Sequence, residues 1–222
     1  MTYRELYQSW ETDPEAFWMK AADHIDWDRA PSYALDARKA PFYEWYPDAM
    51  VNTCYNAVDR HVIAGKGAQA AIIYDSPITG QKDTISYADL RDKTARLAGA
   101  LRAKGITKGD RVIIYMSMVP EAIVAMLACT RIGAIHSVVF GGFAANELAV
   151  RIDDAKPKAI LATSCGIEPG RVIAYKPLID AAIEQSEHSP ETVVILQREQ
   201  QTAALEHSRD CDWDAVQEGV EP

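Results

Sequence analysis

From Ala70 to Leu196, short runs of β-branched and apolar residues alternate with longer stretches whose apolar positions recur every three or four residues. That alternation predicts strands and helices in turn. Ala70 to Tyr74 and Asp83 to Ser86 flank the Pro/Gly turn Ser76-Pro-Ile-Thr-Gly80, which reads as a hairpin. Ser86 stands where a helix cap belongs, with Asp89 three residues on, and Leu90, Thr94, Leu97 and Leu101 follow at helical spacing until Gly105. A strand over Arg111 to Met116 leads to Pro120, which suits the first turn of a helix because its missing N–H is not needed there. That helix, 120 to 132, is apolar nearly all round, so it should be buried on more than one side. The series continues with a strand at Ile135 to Phe140, a turn at Gly141-Gly142-Phe143, and a helix at Ala145 to Ala155. A strand at Lys158 to Ala162, a long turn to Arg171, a helix at Tyr175 to Ser186 and a strand at Thr192 to Leu196 complete it.

Strand and helix alternating at this rhythm require right-handed crossovers, hence an α/β fold with a mainly parallel sheet and helices on both faces. Small molecules bind such sheets at the carboxyl ends of the strands. The first fifty residues differ. They hold Trp10, Trp18, Trp27 and Trp45, with prolines at 14, 31, 41 and 47, and predict helices over 3 to 10 and 14 to 23 followed by an extended stretch. The aromatics there read as packing anchors, and a further helix is expected over Cys54 to Ala64. From Arg198 onward the rhythm stops: seven acidic residues stand against two basic ones, with one short helical stretch at Thr202 to His207, the pattern of a surface linker.

Composition adds limits. A chain of 222 residues, 48% hydrophobic and 25% charged, has ordinary globular usage and can build a core without disulfides. The net charge of −9 leaves no basic stripe to neutralise phosphates, which argues against nucleic acid and against anionic membrane surfaces. Cys54, Cys129, Cys165 and Cys211 form no C-x-x-C pair, and the opening MTYRELYQSW lacks a secretory pattern, so reduced thiols and a cytoplasmic location are expected.

The commonest nucleotide signatures, G-x-G-x-x-G after a strand and G-x-x-x-x-G-K-[ST], do not occur, nor does a G-x-S-x-G elbow. Two strand-end segments carry chemistry instead. Phe140-Gly141-Gly142-Phe143 joins a strand to a helix, where glycines admit a ligand to the backbone and the helix N-terminus favours an anion; a tight turn needing positive φ explains the same residues. Cys165-Gly-Ile-Glu-Pro-Gly-Arg171 follows the next strand, and Arg171 at its tip is either a phosphate ligand or a solvated surface arginine. His61 and His136 read as structural.

The strings Asn52-Thr-Cys-Tyr-Asn-Ala-Val-Asp-Arg-His61, Lys108-Gly-Asp-Arg-Val-Ile-Ile-Tyr-Met116, Pro120-Glu-Ala-Ile-Val-Ala-Met-Leu-Ala-Cys129 and Arg131-Ile-Gly-Ala-Ile-His-Ser-Val-Val-Phe-Gly-Gly-Phe143 closely resemble the amino-terminal part of the AMP-forming short-chain acyl-CoA synthetases. The resemblance runs from Tyr3 to about Leu196. It implies three parts: an aromatic-rich segment at 1–66 typical of acetyl- and propionyl-CoA synthetases, an α/β subdomain of the adenylate-forming domain at 67–197, and an acidic linker at 198–222. It also implies a two-step reaction. A carboxylate attacks the α-phosphate of ATP to give an acyl-adenylate and pyrophosphate; the thiol of CoA then displaces AMP. ATP, CoA and a short-chain carboxylate would be the partners, and Mg²⁺ would sit beside the phosphates.

By the same resemblance, Phe140, Gly141 and Gly142 form part of the surface for the nucleotide end of CoA. The loop with arginines at both ends of a four-residue stretch falls on Glu168-Pro169-Gly170-Arg171. Arg171 keeps its arginine, whereas Glu168 places a carboxylate where acetyl-CoA synthetases have a cation. Gly-Ile-Glu-Pro-Gly-Arg followed by Tyr-Lys-Pro is similar to the propionyl-CoA synthetase branch. The family's phosphate loop T-S-G-T-T-G-x-P-K-G is absent, so this polypeptide alone is expected to form no acyl-adenylate. The alternative is a free-standing CoA- or nucleotide-binding module without catalysis. An uncovered strand edge or apolar face is also expected, which would favour a homo-oligomer.

Overall fold

The computed structural model describes residues 2–220, so Met1 and the last two residues of the acidic stretch, Glu221 and Pro222, lie outside it. The chain divides into two units, Met1–Asn56 and Ala57–Pro222.

In the first unit, α1 (Tyr3–Thr12) opens with a full capping box: the Glu5 N–H donates to Thr2 Oγ1 at 3.3 Å and the Thr2 N–H donates to Glu5 Oε2 at 2.7 Å. Pro14 starts α2 (Pro14–Ala22), where Asp13 accepts the Ala16 N–H. The extended stretch forms a short antiparallel pair, β1 (Leu35–Asp36) with β2 (Glu44–Trp45). Some aromatics anchor this unit as expected, Trp18 edge-on to Trp45 and Trp27 edge-on to Tyr46. Tyr3 and Phe42 are exposed instead. The helix expected at 54–64 is wound more loosely, with π-helical turns at Tyr55–Asp59 and Val62–Lys66.

The second unit follows the predicted series. β3 (Ala70–Asp75) and β4 (Lys82–Ser86) form the antiparallel hairpin, and Ser86 caps α3 (Tyr87–Ala103) through the Asp89 N–H. β5 (Arg111–Tyr115), α4 (Pro120–Ile132), β6 (Ile135–Val138), α5 (Ala145–Ala155) and β7 (Ala159–Thr163) come next. The long turn to Arg171 is itself a hairpin of β8 (Cys165–Glu168) and β9 (Arg171–Ala174), which leads into α6 (Lys176–Gln185) and β10 (Thr192–Leu196).

β11 (Asp210–Asp212) completes a five-stranded sheet of order β11-β10-β7-β5-β6, parallel throughout. Strand side chains alternate between faces. Ile113, Tyr115, Ile160, Ala162, Val193 and Ile195 accordingly share one core with Leu148, Ile152, Ile179 and Ile183 of α5 and α6. α3 and α4 pack together and hold the other layer.

Two expectations change. α4 buries Val124, Ala125, Ala128 and Cys129 along one face, while Ile123 is exposed, so its apolar circumference does not mean burial on several sides. The acidic stretch after Arg198 has no helix at 202–207 and instead adds β11 to the sheet edge, followed by the buried Trp213. Its charge is compatible with that position because the fully buried Asp210 side chain meets Lys176 Nζ at 2.9 Å and accepts the His207 N–H. Charge balance read along the sequence cannot show a pairing that spans thirty-four positions.

Candidate functional site

The candidate site lies where the parallel strands end. β5 finishes at Tyr115, β6 runs into the Gly141-Gly142-Phe143 turn, and β7 runs into the β8–β9 hairpin. Two tyrosines underlie these connections, their ring centroids 4.9 Å apart. Tyr115 Oη donates to the Phe143 carbonyl at 2.8 Å and accepts the Gly142 N–H at 3.4 Å. Tyr175, buried at the start of α6, stands between Gly141 and Gly166: a Cβ on Gly141 would be 2.8 Å from its hydroxyl, and one on Gly166 would be 2.6 Å from its Cζ. Burial pushes Tyr175 up to about 12 and raises Tyr115 as well, so both remain protonated donors near neutral pH.

These contacts divide the predicted residues. Gly141 is required by protein, since Met116 O and the Tyr175 hydroxyl already occupy the space a side chain would need. Gly142 has φ 119° and open space around it: a Cβ there would meet only the Phe140 ring within 4 Å, at 3.8 Å. Phe140 is 72% exposed, resting on Phe143, whose ring lies under the Arg151 guanidinium. It offers a free aromatic face beside the turn. The first turn of α5 has no side-chain cap at Ala144, and the Glu147 N–H turns back to the Ala144 carbonyl at 3.1 Å.

Glu168 and Arg171 close the β8–β9 hairpin as its last cross-strand pair. Pro169 and Gly170 (φ 79°) form the turn between them, the residues a type II turn demands. Arg171 is not free: its Nε donates to Glu168 Oε2 at 2.8 Å and its Nη2 approaches the same oxygen at 2.6 Å. Because Gly141 and Gly166 share Tyr175, the hairpin base lies beside the glycine turn. The ion pair is two residues farther out, about 7 Å along the strand. Its tip and Ile78 of the β3–β4 turn line a cleft.

Sequence reasoning passed over Tyr115, Tyr175 and a polar cluster behind them. Arg198 Nη1 donates to Ser117 Oγ at 3.1 Å and to the Cys165 carbonyl at 3.2 Å, and Ser117 Oγ lies 3.1 Å from Thr163 Oγ1. Ser117, Thr163 and Arg198 each stand at or just past a strand end, the one signal that would have found them. His136 is pushed down by burial and His61 packs on the Tyr87 ring, the structural roles expected of them. Among the described residues no group of three or more His, Cys, Asp and Glu is arranged to hold a metal.

The comparisons with known proteins agree with this layout. A family described as "AMP-binding enzyme" matches residues 59–222, and one described as "Acetyl-coenzyme A synthetase N-terminus" matches residues 3–57. The chain is 47% identical over 213 residues to the Homo sapiens protein named Acyl-CoA synthetase short-chain family member 3, mitochondrial, covering 96% of this chain and 31% of that protein. It is 41% identical over 213 residues to the Escherichia coli Propionate–CoA ligase, covering 96% and 34%. It therefore spans about a third of the length of these relatives. The solved acetoacetyl-CoA synthetase from Streptomyces lividans superposes with a TM-score of 0.82 over 96% of this chain and 32% of that one, at 21% identity, which supports the fold. With one family covering nearly all of the sheet unit and the other, an acetyl-coenzyme A synthetase N-terminus, matching the aromatic-rich unit before it, the chain belongs to the AMP-binding enzymes.

Proposed function

We propose that this chain supplies the first portion of an acid–thiol ligase that joins propionate, or acetate, to CoA through an acyl-adenylate, with release of pyrophosphate and AMP. The observation that carries this is the tiling of residues 3–57 and 59–222 by the two families. The similarity to a named propionate–CoA ligase and the Gly-Ile-Glu-Pro-Gly-Arg string favour propionate. The chemistry is activation: a carboxylate is a poor acyl donor, and a mixed anhydride with phosphate is a good one. Mg²⁺ would offset charge on the ATP phosphates in that step. This chain's own contribution is binding. Phe140 presents a ring for the adenine of CoA, the open backbone at Gly142 admits close approach, and Arg171 supplies a planar cation for a phosphate.

Titration calorimetry with CoA tests this surface. Binding that Arg171→Ala and Phe140→Ala each weaken about fivefold or more is the expected result, and binding indifferent to both refutes it. With ATP, Mg²⁺, propionate and CoA, the isolated chain should release no pyrophosphate above a control without acid. Four free cysteines fit a reducing, cytoplasmic setting. β6 is an edge strand bearing exposed Ile135 and Val138, and α4, which packs against it, exposes Ile123, which supports self-association of the isolated chain. Light scattering giving the monomer mass at high concentration would refute that.

A further inference from the structure

The ion pair at the hairpin tip gives the proposed CoA surface a second property. Arg171 engages Glu168 through Nε and Nη2, both directed at one carboxylate oxygen. That is the edge of the guanidinium that makes forked contacts to carboxylate and phosphate. The two residues are cross-strand partners held by a two-residue turn, so the carboxylate stays within reach whenever it is displaced. Both side chains are substantially exposed, 67% for Arg171 and 46% for Glu168, which makes the pair accessible to a ligand and only weakly stabilising.

Resting on the CoA-surface assignment above, we propose that Glu168 is a built-in competitor for the anionic end of the nucleotide. A phosphate reaches Arg171 by exchange: the Glu168 carboxylate leaves the Nε/Nη2 edge, phosphate oxygens take it, and the carboxylate turns out to solvent. Glu168 is thus a negative specificity element and not a ligand contact. It lowers affinity by occupying the cation, while a neutral ligand is unaffected. Since an exposed pair contributes at most about 1 kcal/mol, its removal should strengthen phosphate binding about 2- to 5-fold.

The test is calorimetry on the chain with CoA, adenosine 3′,5′-bisphosphate and adenosine, comparing the native protein with Glu168→Gln, Arg171→Ala and the double variant. Circular dichroism confirms that each variant is folded. The expected result is a gain of about 2- to 5-fold for CoA and the bisphosphate in Glu168→Gln, none for adenosine, and none in the Arg171→Ala background. At about 1 M salt, where screening acts within about 3 Å, the gain should shrink toward unity. If Arg171→Ala weakens CoA but Glu168→Gln brings no gain, or brings an equal gain for adenosine, exchange is overturned while the surface stands. A gain that persists without Arg171 overturns it too, because simple repulsion then accounts for the effect. If CoA binds neither the native chain nor Glu168→Gln, or binds indifferently to Arg171→Ala, the surface assignment fails and exchange fails with it.

Discussion

Gly166→Ala isolates the contact on which the site's geometry depends. A methyl at this position would lie 2.6 Å from Cζ and 2.8 Å from Cε1 of Tyr175, against about 3.5–4.0 Å for relaxed carbon contacts. The ring would have to move by about 1 Å. It is 3% exposed and packs on Tyr115, so movement disturbs the core shared by α5, α6 and the sheet. Overpacking of this kind costs about 1–3 kcal/mol. Gly166 does not occupy the positive-φ region, so the substitution also restricts the unfolded chain and returns roughly 0.4–1 kcal/mol. The net expectation is a loss of about 1 kcal/mol. Urea unfolding followed by far-ultraviolet circular dichroism should show a midpoint lower by about 0.5 M with unchanged slope. In a Tyr175→Leu background the same substitution should cost less than about 0.5 kcal/mol, a coupling of the size seen between touching residues. Gly170→Ala is the control: nothing lies within 4 Å of its Cβ position, and its φ of 79° predicts a loss of about 1–2 kcal/mol that is indifferent to residue 175. Equal costs of Gly166→Ala in both backgrounds would refute the reasoning.

Tyr175 titrates at about 12 in the folded chain and near 10 when unfolded, so its contribution is complete below about pH 10 and is lost as pH rises toward 12; alkaline unfolding should be less steep in Tyr175→Phe. Asp110 is held below the ordinary carboxylate range, first by the Thr107 backbone N–H at 2.7 Å, so its stabilisation is present above about pH 4 and is lost as pH falls below that; Asp110→Asn should reduce the acid sensitivity of unfolding. Asp59→Ala removes a forked pair with Arg131 at 2.7 and 2.9 Å and should lower stability by about 1–3 kcal/mol in urea unfolding. Asp210→Asn removes one of two carboxylates on the buried Lys176 ammonium, the Asp180 contact at 2.7 Å remaining, and should cost about 1–2 kcal/mol, with faster hydrogen exchange along β10 and β11; slow exchange there would refute the anchoring of the edge strand.

The order of elements in the sheet unit was legible because most strands are short apolar runs and several helix ends carry local signals. Ser86 with Asp89 and Gly105 in the left-handed conformation behave as the sequence indicates. What escaped was long-range pairing. β11 carries two aspartates in three residues, and the buried one, Asp210, meets Lys176, distant in sequence. The site was legible in part for the same reason. Strand ends located the glycine turn and Arg171, but neither Tyr115 nor Tyr175 has a pattern that distinguishes a supporting ring from any other core aromatic.

That difference alters what a glycine in such a turn signifies. Gly141 and Gly166 are small because Tyr175 passes between them, and their requirement would persist if no ligand ever bound. Gly142 is different, because its φ of 119° and open surroundings leave its backbone accessible beside the exposed Phe140 ring. The arginines sort in the same way. Arg198 is engaged with Ser117 and the Cys165 carbonyl, joining the ends of three strands, whereas Arg171 is engaged only with a carboxylate that solvent can receive. At the hairpin tip the Arg171 charge is balanced by the Glu168 carboxylate. Its attraction for an anion would arise when the ligand arrives and Glu168 departs, which makes the affinity depend on exchange between two anions and not on a pre-formed basic patch.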